Sequence, residues 1–562
     1  MKGGVSLDRV VTATYHPDGD VRDMPTVTRT AAEVAAMLED GREIAFLDVR
    51  EIVPFGTGHP LLATHLPLGH IEGEISRLVP RLDTRVIVTD GGEGLSMVAA
   101  RRLAEFGYEN LAVLAGGAPA WAAAGLTLFP EIEVPPKGFG DFVARHARPR
   151  FITARELHRA LTGGEDWVLI DSRPRGEYEA GNIPGSIDAP GGQMLRCFDD
   201  LVLRPTTKVV VNCMSRTRGI LGATSLVAAG VPNEVYALRN GTRGWQLEGL
   251  TLERGATRFA AAPTPLARER ARERARALAR RAGLPSIDRA TLARWREDAT
   301  RTTYVFDVRD RAEYEAGHVA GARNAPEGAL IMSPDHFIGT QNARCVLADD
   351  DTVRATIAGL WLLQMGRSTP YVLDDAAIEE SMAETGPEPH RFPGVDRAPS
   401  ATITPAALAA LIQRASPLII DVGNSADYVR SHVPGARWCL RSALASVASG
   451  SPLVLTSEDG VMARLAARDL AELGGKDDLV LEGGTAAWRE AGLPAESGPT
   501  RLLSPRDDLW LASSERPGDQ RANVTAYLEW ETSLLDTIER GGFVPFRNLL
   551  WNEPTRTPEP RS

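Results

Sequence analysis

The chain has 562 residues, 43% of them hydrophobic and 24% charged, which suits three to five globular domains. Its formal charge of −11, from 63 basic and 74 acidic residues, gives no reason to expect nucleic acid as a partner. Four cysteines in this length are too few for a disulfide framework and fit a reducing compartment.

In chain order, the N-terminal "MKGGVSLDRVVTATYHPDGD" lacks the apolar core of a signal peptide. No run of about 18 apolar residues follows anywhere, so no membrane span is expected and a cytoplasmic location is. The first organised stretch, 26–128, runs from "IAFLDVR" (Asp48) through "RVIVTD" (Asp90) and a helical segment ending at Gly107 to "LAVLAGG" and Trp121. The order repeats over 150–257 with Asp171, Cys213, Gly230 and Trp245, and over 286–380 with Asp307, Asp349 and Gly366. It repeats again over 401–497 with Asp421, Ser457, Gly474 and Trp488. The first two landmarks are 42 residues apart in three units and 36 in the fourth; the second and third are 17 apart in all four. Short apolar runs ending at a polar residue read as strands buried on both faces. The glycines fit helix C-caps that need positive φ. Alternating strands and helices imply an α/β fold, each unit a small parallel sheet with helices on both faces.

Between units two and three lies "AAAPTPLARERARERARALARRAG", expected to be a solvated linker helix with Glu–Arg pairs. "TGPEPHRFPGVDRAPS" links units three and four. The C-terminal tail, 498–562, holds "VTAYLEWETSLLDTIERGG", whose helical periodicity predicts a helix docked on a neighbour, with no chemical motif.

The ordered set resembles the rhodanese superfamily of sulfurtransferases. Unit two carries the match in "LIDSRPRGEYEAGNIPGSIDAP", "VVVNCMSRTRG" and "ALRNGTRGW"; unit three adds "VFDVRDRAEYEAGHVAGARNAP" and unit four "SHVPGA". Unit one keeps the strand, loop and helix plan with "GGAPAW". Four such units resemble the tandem rhodaneses of bacteria. The resemblance implies that Cys213 takes sulfur from a thiosulfate-like donor as a persulfide and passes it to cyanide or a thiol, with no cofactor or metal. A protein acceptor is an alternative.

Physical chemistry supports the cysteine's place. A strand-to-helix junction gathers unpaired N–H groups and the positive end of a helix dipole, which favour a thiolate. The loop Met214, Ser215, Arg216, Thr217, Arg218 and Gly219 is expected to bind the donor, its two arginines holding the oxyanion end. Arg173 is a further candidate donor contact. It is also expected to join Asp171 and Glu177 in a polar cluster around the loop. A packing role for Cys213 leaves those arginines unexplained. Cys345, Cys439 and Cys197 read as buried, non-reactive thiols.

Asp90 and Asp349 cannot hold transferable sulfur, and Ser457 has no visible activating base, so three units are expected to be inactive. The run Asp349, Asp350 and Asp351 reads as a solvated acidic loop rather than a metal site. Two rivals remain: a persulfide carrier or scaffold without turnover, and a phosphatase or arsenate reductase. The latter needs Cys-x5-Arg, whereas here Arg218 follows Cys213 after four residues.

Overall fold

The computed structural model describes residues 27–374, 382–395, 401–447, 453–473, 478–543 and 546–551. In unit two the strands are β1 Arg150–Ile152, β2 Trp167–Asp171, β3 Ile187–Asp188, β4 Lys208–Asn212 and β5 Val235–Leu238. They form a parallel sheet in the order β3-β2-β4-β5-β1. The same order recurs in the other three units. Along β4, Val209 and Val211 enter one core and Val210 another, because successive strand side chains point to opposite faces.

The register settles the alignment of the four units. Asp48 pairs with Thr89, Asp171 with Asn212, Asp307 with Ala348 and Asp421 with Thr456. Each partner is followed by the aligned residue: Asp90, Cys213, Asp349 or Ser457. The six-residue shortening in unit four therefore falls in the connection between its paired strands. Gly107, Gly230 and Gly366 have positive φ, as helix ends require. Gly474 lies outside the described residues.

Five helices matter for the site: α1 Val134–Ala147, α2 Thr217–Ala228, α3 Pro265–Ala282, α4 Val353–Met365 and α5 Gln520–Gly541. The expectation of a solvated linker helix is corrected by α3. Its Ala267, Ala271, Ala275, Leu278 and Ala282 form a buried stripe, and α3 packs against α4. Its Arg268, Arg270 and Arg274 pair with aspartates of neighbouring elements. Steps of three or four residues place these side chains on one helix face, and the alanines let the helix lie close to its neighbour.

The solvated acidic loop is likewise corrected. Asp349 and Asp351 are buried, and Arg196, Arg268 and Arg354 reach the Asp350 and Asp351 carboxylates. A buried carboxylate must be paired or lose its charge; Arg196 of unit two, Arg268 of α3 and unit three's own Arg354 supply the pairing for Asp350 and Asp351, while burial pushes Asp349 up to about 7.

The units are joined by more than one device. Units two and three share a continuous core that includes Ile170, Val209, Phe306, Leu347 and Trp361. Thr340–Gln341 of unit three adds antiparallel to the Ile44–Asp48 strand of unit one. Arg441 of unit four is buried against Glu72 of unit one at 2.8 Å. The tail helix α5 puts Leu534 and Ile538 into the core of unit one and Leu535 into the shared core.

Glu327 of unit three accepts a hydrogen bond from the Gly192 N–H of unit two, and burial pushes its carboxyl up to about 8. The folded protein therefore binds a proton there that the unfolded chain releases near its ordinary value of 4.5. Stability is lost as pH rises between those two values. Glu327→Gln is expected to melt about 2 °C or more above wild type at pH 8.5, with the difference vanishing near pH 4.5. Thermal melts across that range test it; equal melting temperatures at pH 8.5 would count against it.

Candidate active site

Cys213 is the first residue after β4, and α2 begins four residues later. The N–H groups of Ser215 and Gly219 donate toward its sulfur. Behind the loop, the Asp171 carboxylate holds Arg173 through Nε at 2.9 Å and Nη2 at 2.8 Å. Asp171 also accepts from Asn212 Nδ2 at 2.9 Å. Arg173 then donates to the Gly181 carbonyl at 2.6 Å. Arg173 is thus spent on the framework that fixes Asn212, the residue before the cysteine. Unit one repeats this pair in Asp48–Arg50 and unit three in Asp307–Arg309. Unit four has Gly423 in place of the arginine, and burial pushes Asp421 up to about 7.

The loop is braced from above by the segment after β5. Thr242 N–H donates to the Cys213 carbonyl at 2.8 Å, and Arg243 N–H to the Met214 carbonyl at 3.0 Å. Gly241 has φ +52, and a Cβ there would sit 2.2 Å from the Cys213 carbonyl oxygen. Only glycine fits so close an approach at positive φ. Ala118 on Asp90 and Thr485 on Ser457 repeat the brace at 2.8 and 2.9 Å.

The four aligned residues fill the same nest of N–H groups in different ways. Asp90 accepts from Gly92, Gly94 and Ser96 at 2.9–3.0 Å. Asp349 accepts from Asp351, Thr352, Arg354 and Ala355. Ser457 Oγ accepts from Ala463 at 3.2 Å. Only unit two leaves the nest to a sulfur.

Both loop arginines are engaged, which revises their expected freedom to hold a donor. Arg218 forms two 2.8 Å bonds to Glu177, so Glu177 serves the loop rather than the Asp171–Arg173 pair. Unit three keeps this arrangement in Arg354 and Glu313. Arg216 pairs with Asp141 of α1.

Helices α1 and α5 close the mouth. Gly140 of α1 lies so near the loop that a Cβ would meet Thr217 Oγ1 at 2.8 Å and its Cα at 3.1 Å. Gly138 faces Ile538 of α5 in the same way. From α5, Glu531 takes Ser215 Oγ and Thr217 Oγ1 at 3.4 Å each. Arg243 stacks over the Tyr527 ring at 4.3 Å. Cys213 is left only 3% exposed.

This cover overturns the expected acidic thiol. Burial pushes the Cys213 thiol up; Arg218 and the N–H groups of Gly219 and Ser215 pull it down, while Glu531 adds to the rise. Burial wins because a thiolate shut away from water loses its solvation. The other three cysteines are buried and free, and burial raises their thiols to about 11 for Cys197 and Cys439 and about 12 for Cys345.

Sequence reasoning missed Lys137, Asp141, Arg243, Tyr527 and Glu531. The one available signal was "PPKGFGDF". Glycine costs about 1 kcal/mol against alanine inside a helix, so two in one turn mark a face pressed against something.

The raised thiol makes a pH prediction. Alkylation of Cys213 by iodoacetamide should still be climbing where an ordinary thiol has levelled off. Arg218→Met removes the leading influence that favours the thiolate and should slow alkylation roughly tenfold at pH 8. Peptide mass spectrometry of the Cys213 peptide checks both; a plateau near neutral pH would mean that the thiol is not raised.

Comparison with known proteins agrees with the geometry. Residues 30–124, 153–248, 288–376 and 404–491 match the family model described as Rhodanese-like domain. A solved structure, the thiosulfate sulfurtransferase from Pseudomonas aeruginosa, superposes with a TM-score of 0.89 at 41% identity, covering 93% of this chain and 99% of that one. The HTH-type transcriptional regulator Rv0324 of Mycobacterium tuberculosis is 32% identical over 105 residues, 19% of this chain and 45% of that protein. The chain thus spans less than half the length of that relative. SseB of the same species, provisionally named a thiosulfate sulfurtransferase, is 29% identical over 215 residues, 30% of this chain and 71% of that protein. The chain belongs to the rhodanese-like family and carries four copies of its domain in tandem.

Proposed function

We propose that the protein is a sulfurtransferase that moves sulfane sulfur from thiosulfate or a similar anion, through a persulfide on Cys213, to cyanide or a thiol. The observation that carries this reading is the nest itself: four aligned loops, with a nucleophilic sulfur in one and carboxylate or hydroxyl oxygens in the others. The 41% identical thiosulfate sulfurtransferase supports the same chemistry. The proposed units are 26–128, 150–257, 286–380 and 401–497, with unit two active and the rest structural. Four free cysteines among the described residues suit a reducing compartment such as the cytoplasm. No helix among those residues is long and apolar enough to cross a membrane.

In the first transfer the Cys213 thiolate attacks the outer sulfur of the donor. A new sulfur–sulfur bond forms to Cys213, the donor's own sulfur–sulfur bond breaks, and sulfite leaves with the electron pair. The N–H groups of Ser215 and Gly219 and the charge of Arg218 stabilise the negative sulfur before attack. In the second transfer a thiophilic acceptor attacks the outer sulfur and Cys213 leaves as thiolate, restoring the enzyme. Met214, Ser215, Thr217 and Gly219 shape the loop, and Arg216 and Arg218 provide its positive charge.

The closed cover over Cys213 favours a second reading, a persulfide carrier that yields its sulfur only to a docked protein. It differs in rate: persulfide forms readily but cyanide turnover is slow.

Incubation with thiosulfate should add one sulfur, about 32 Da, to the intact wild-type mass. The gain should be cyanide-labile and absent in Cys213→Ser. No gain with thiosulfate, mercaptopyruvate or glutathione persulfide would leave the scaffold as the better account.

A further inference from the structure

The C-terminal helix brings a carboxylate to a place built for an anion. Glu531 is 1% exposed, yet its only hydrogen bonds among the described residues are the two 3.4 Å contacts from Ser215 and Thr217 to Oε1. Its Oε2 has no partner. A buried oxygen left unpaired is destabilising, so the local contacts do not by themselves account for Glu531 being there. The packing of α5 puts it there.

The charges around it come from every packed element. Lys137 and Asp141 face it from α1, Arg216 from the loop, Arg243 from the segment after β5, and Tyr527 from its own helix. Lys137 Nζ also lies 3.6 Å from Glu133, and Arg216 is paired with Asp141. Glu531 itself makes no ion pair within 4 Å among the described residues; Lys137, Arg216 and Arg243 act on it from beyond that distance, and burial pushes its carboxyl up. It is an under-bonded carboxyl group at the mouth of the Cys213 loop.

The two halves of α5 are held differently. Leu534, Leu535 and Ile538 sit in the large cores of units one and two. Val524, Tyr527 and Leu528 form a small cluster with Leu247 and Trp530, and Trp530 also packs against the core of unit one. Segments held by few buried contacts are those that open first. The half up to residue 531, which carries Glu531, is therefore the less firmly held.

We infer that Lys137, Arg216 and Arg243 form a subsite for the oxyanion end of the sulfur donor, and that Glu531 fills it in the resting protein as a built-in plug. A small divalent oxyanion of the thiosulfate type displaces the Glu531 carboxylate, lifts the first half of α5 and uncovers Cys213. The inference rests on the sulfurtransferase reading and adds to it a donor subsite assembled from the Cys213 loop, Arg243 of unit two and Lys137 of α1. Glu531 is a competing group, and removing its charge should help the donor, whereas removing a subsite cation should hinder it. A merely structural role for α5 predicts no such opposition.

Thiosulfate–cyanide turnover is measured on the full chain for wild type, Glu531→Gln and Arg243→Met, with Cys213 persulfide read by intact mass on the same samples. Glu531→Gln should lower the KM for thiosulfate about tenfold, and Arg243→Met should raise it about tenfold. An unchanged or raised KM in Glu531→Gln, with the cyanide-labile mass gain intact, overturns the plug and leaves sulfur transfer standing. Absence of that gain in wild type overturns both. A second measurement does not depend on the folding of Glu531→Gln. In Cys213→Ser, thiosulfate should speed backbone hydrogen exchange over residues 520–531 and leave 534–541 unchanged; no change over 520–531 overturns the inference.

Discussion

Everything at the four loops follows from one requirement. Where a strand ends and a helix begins, several N–H groups converge without helical acceptors, and something must accept from them. Asp90 and Asp349 do so with carboxylates and Ser457 with a hydroxyl. Cys213 does so with a polarisable sulfur that can also make a covalent bond. In those three units the electrostatic demand of the loop is met by oxygen.

That demand is held in register by a buried frame. The Asp171–Arg173 pair fixes Asn212, and the Thr242 N–H fixes the cysteine's own carbonyl. Buried charges are costly unless paired in good geometry, and the pair persists in units one and three without any thiol to serve. Its work is architectural. Unit four, with Gly423 at the arginine's position, instead carries a carboxyl that holds its proton to near neutral pH.

The four-unit plan was legible because strands buried on both faces and glycine-capped helices leave local patterns, and because equal spacings recur. Asp171, Cys213 and the glycines could be placed from those alone. What could not be read was long-range. Asp141 lies 75 positions from Arg216, and Glu531 lies 316 positions from Ser215. Nothing near Arg216 or Arg218 indicated that Asp141 and Glu177 would claim them. Nor did the tail's periodicity say which neighbour it meets. The thiol's rise has the same origin: the loop alone favours a thiolate, and the cover that opposes it is made elsewhere. The acidic run of unit three misled for the converse reason, since Arg196 of unit two and Arg268 of α3 join its own Arg354 as partners.

The brace on Cys213 by α1 and α5 has a consequence for how the chain is made. Synthesis adds about 5–20 residues per second, and Glu531 emerges 318 residues after Cys213. For about 16–60 s on that scale, the second unit stands on the ribosome with α1 already made but without the Glu531 contacts to Ser215 and Thr217. The α5 contacts belong only to a chain that has reached residue 531. A nascent chain released before then would carry the loop braced by α1 alone.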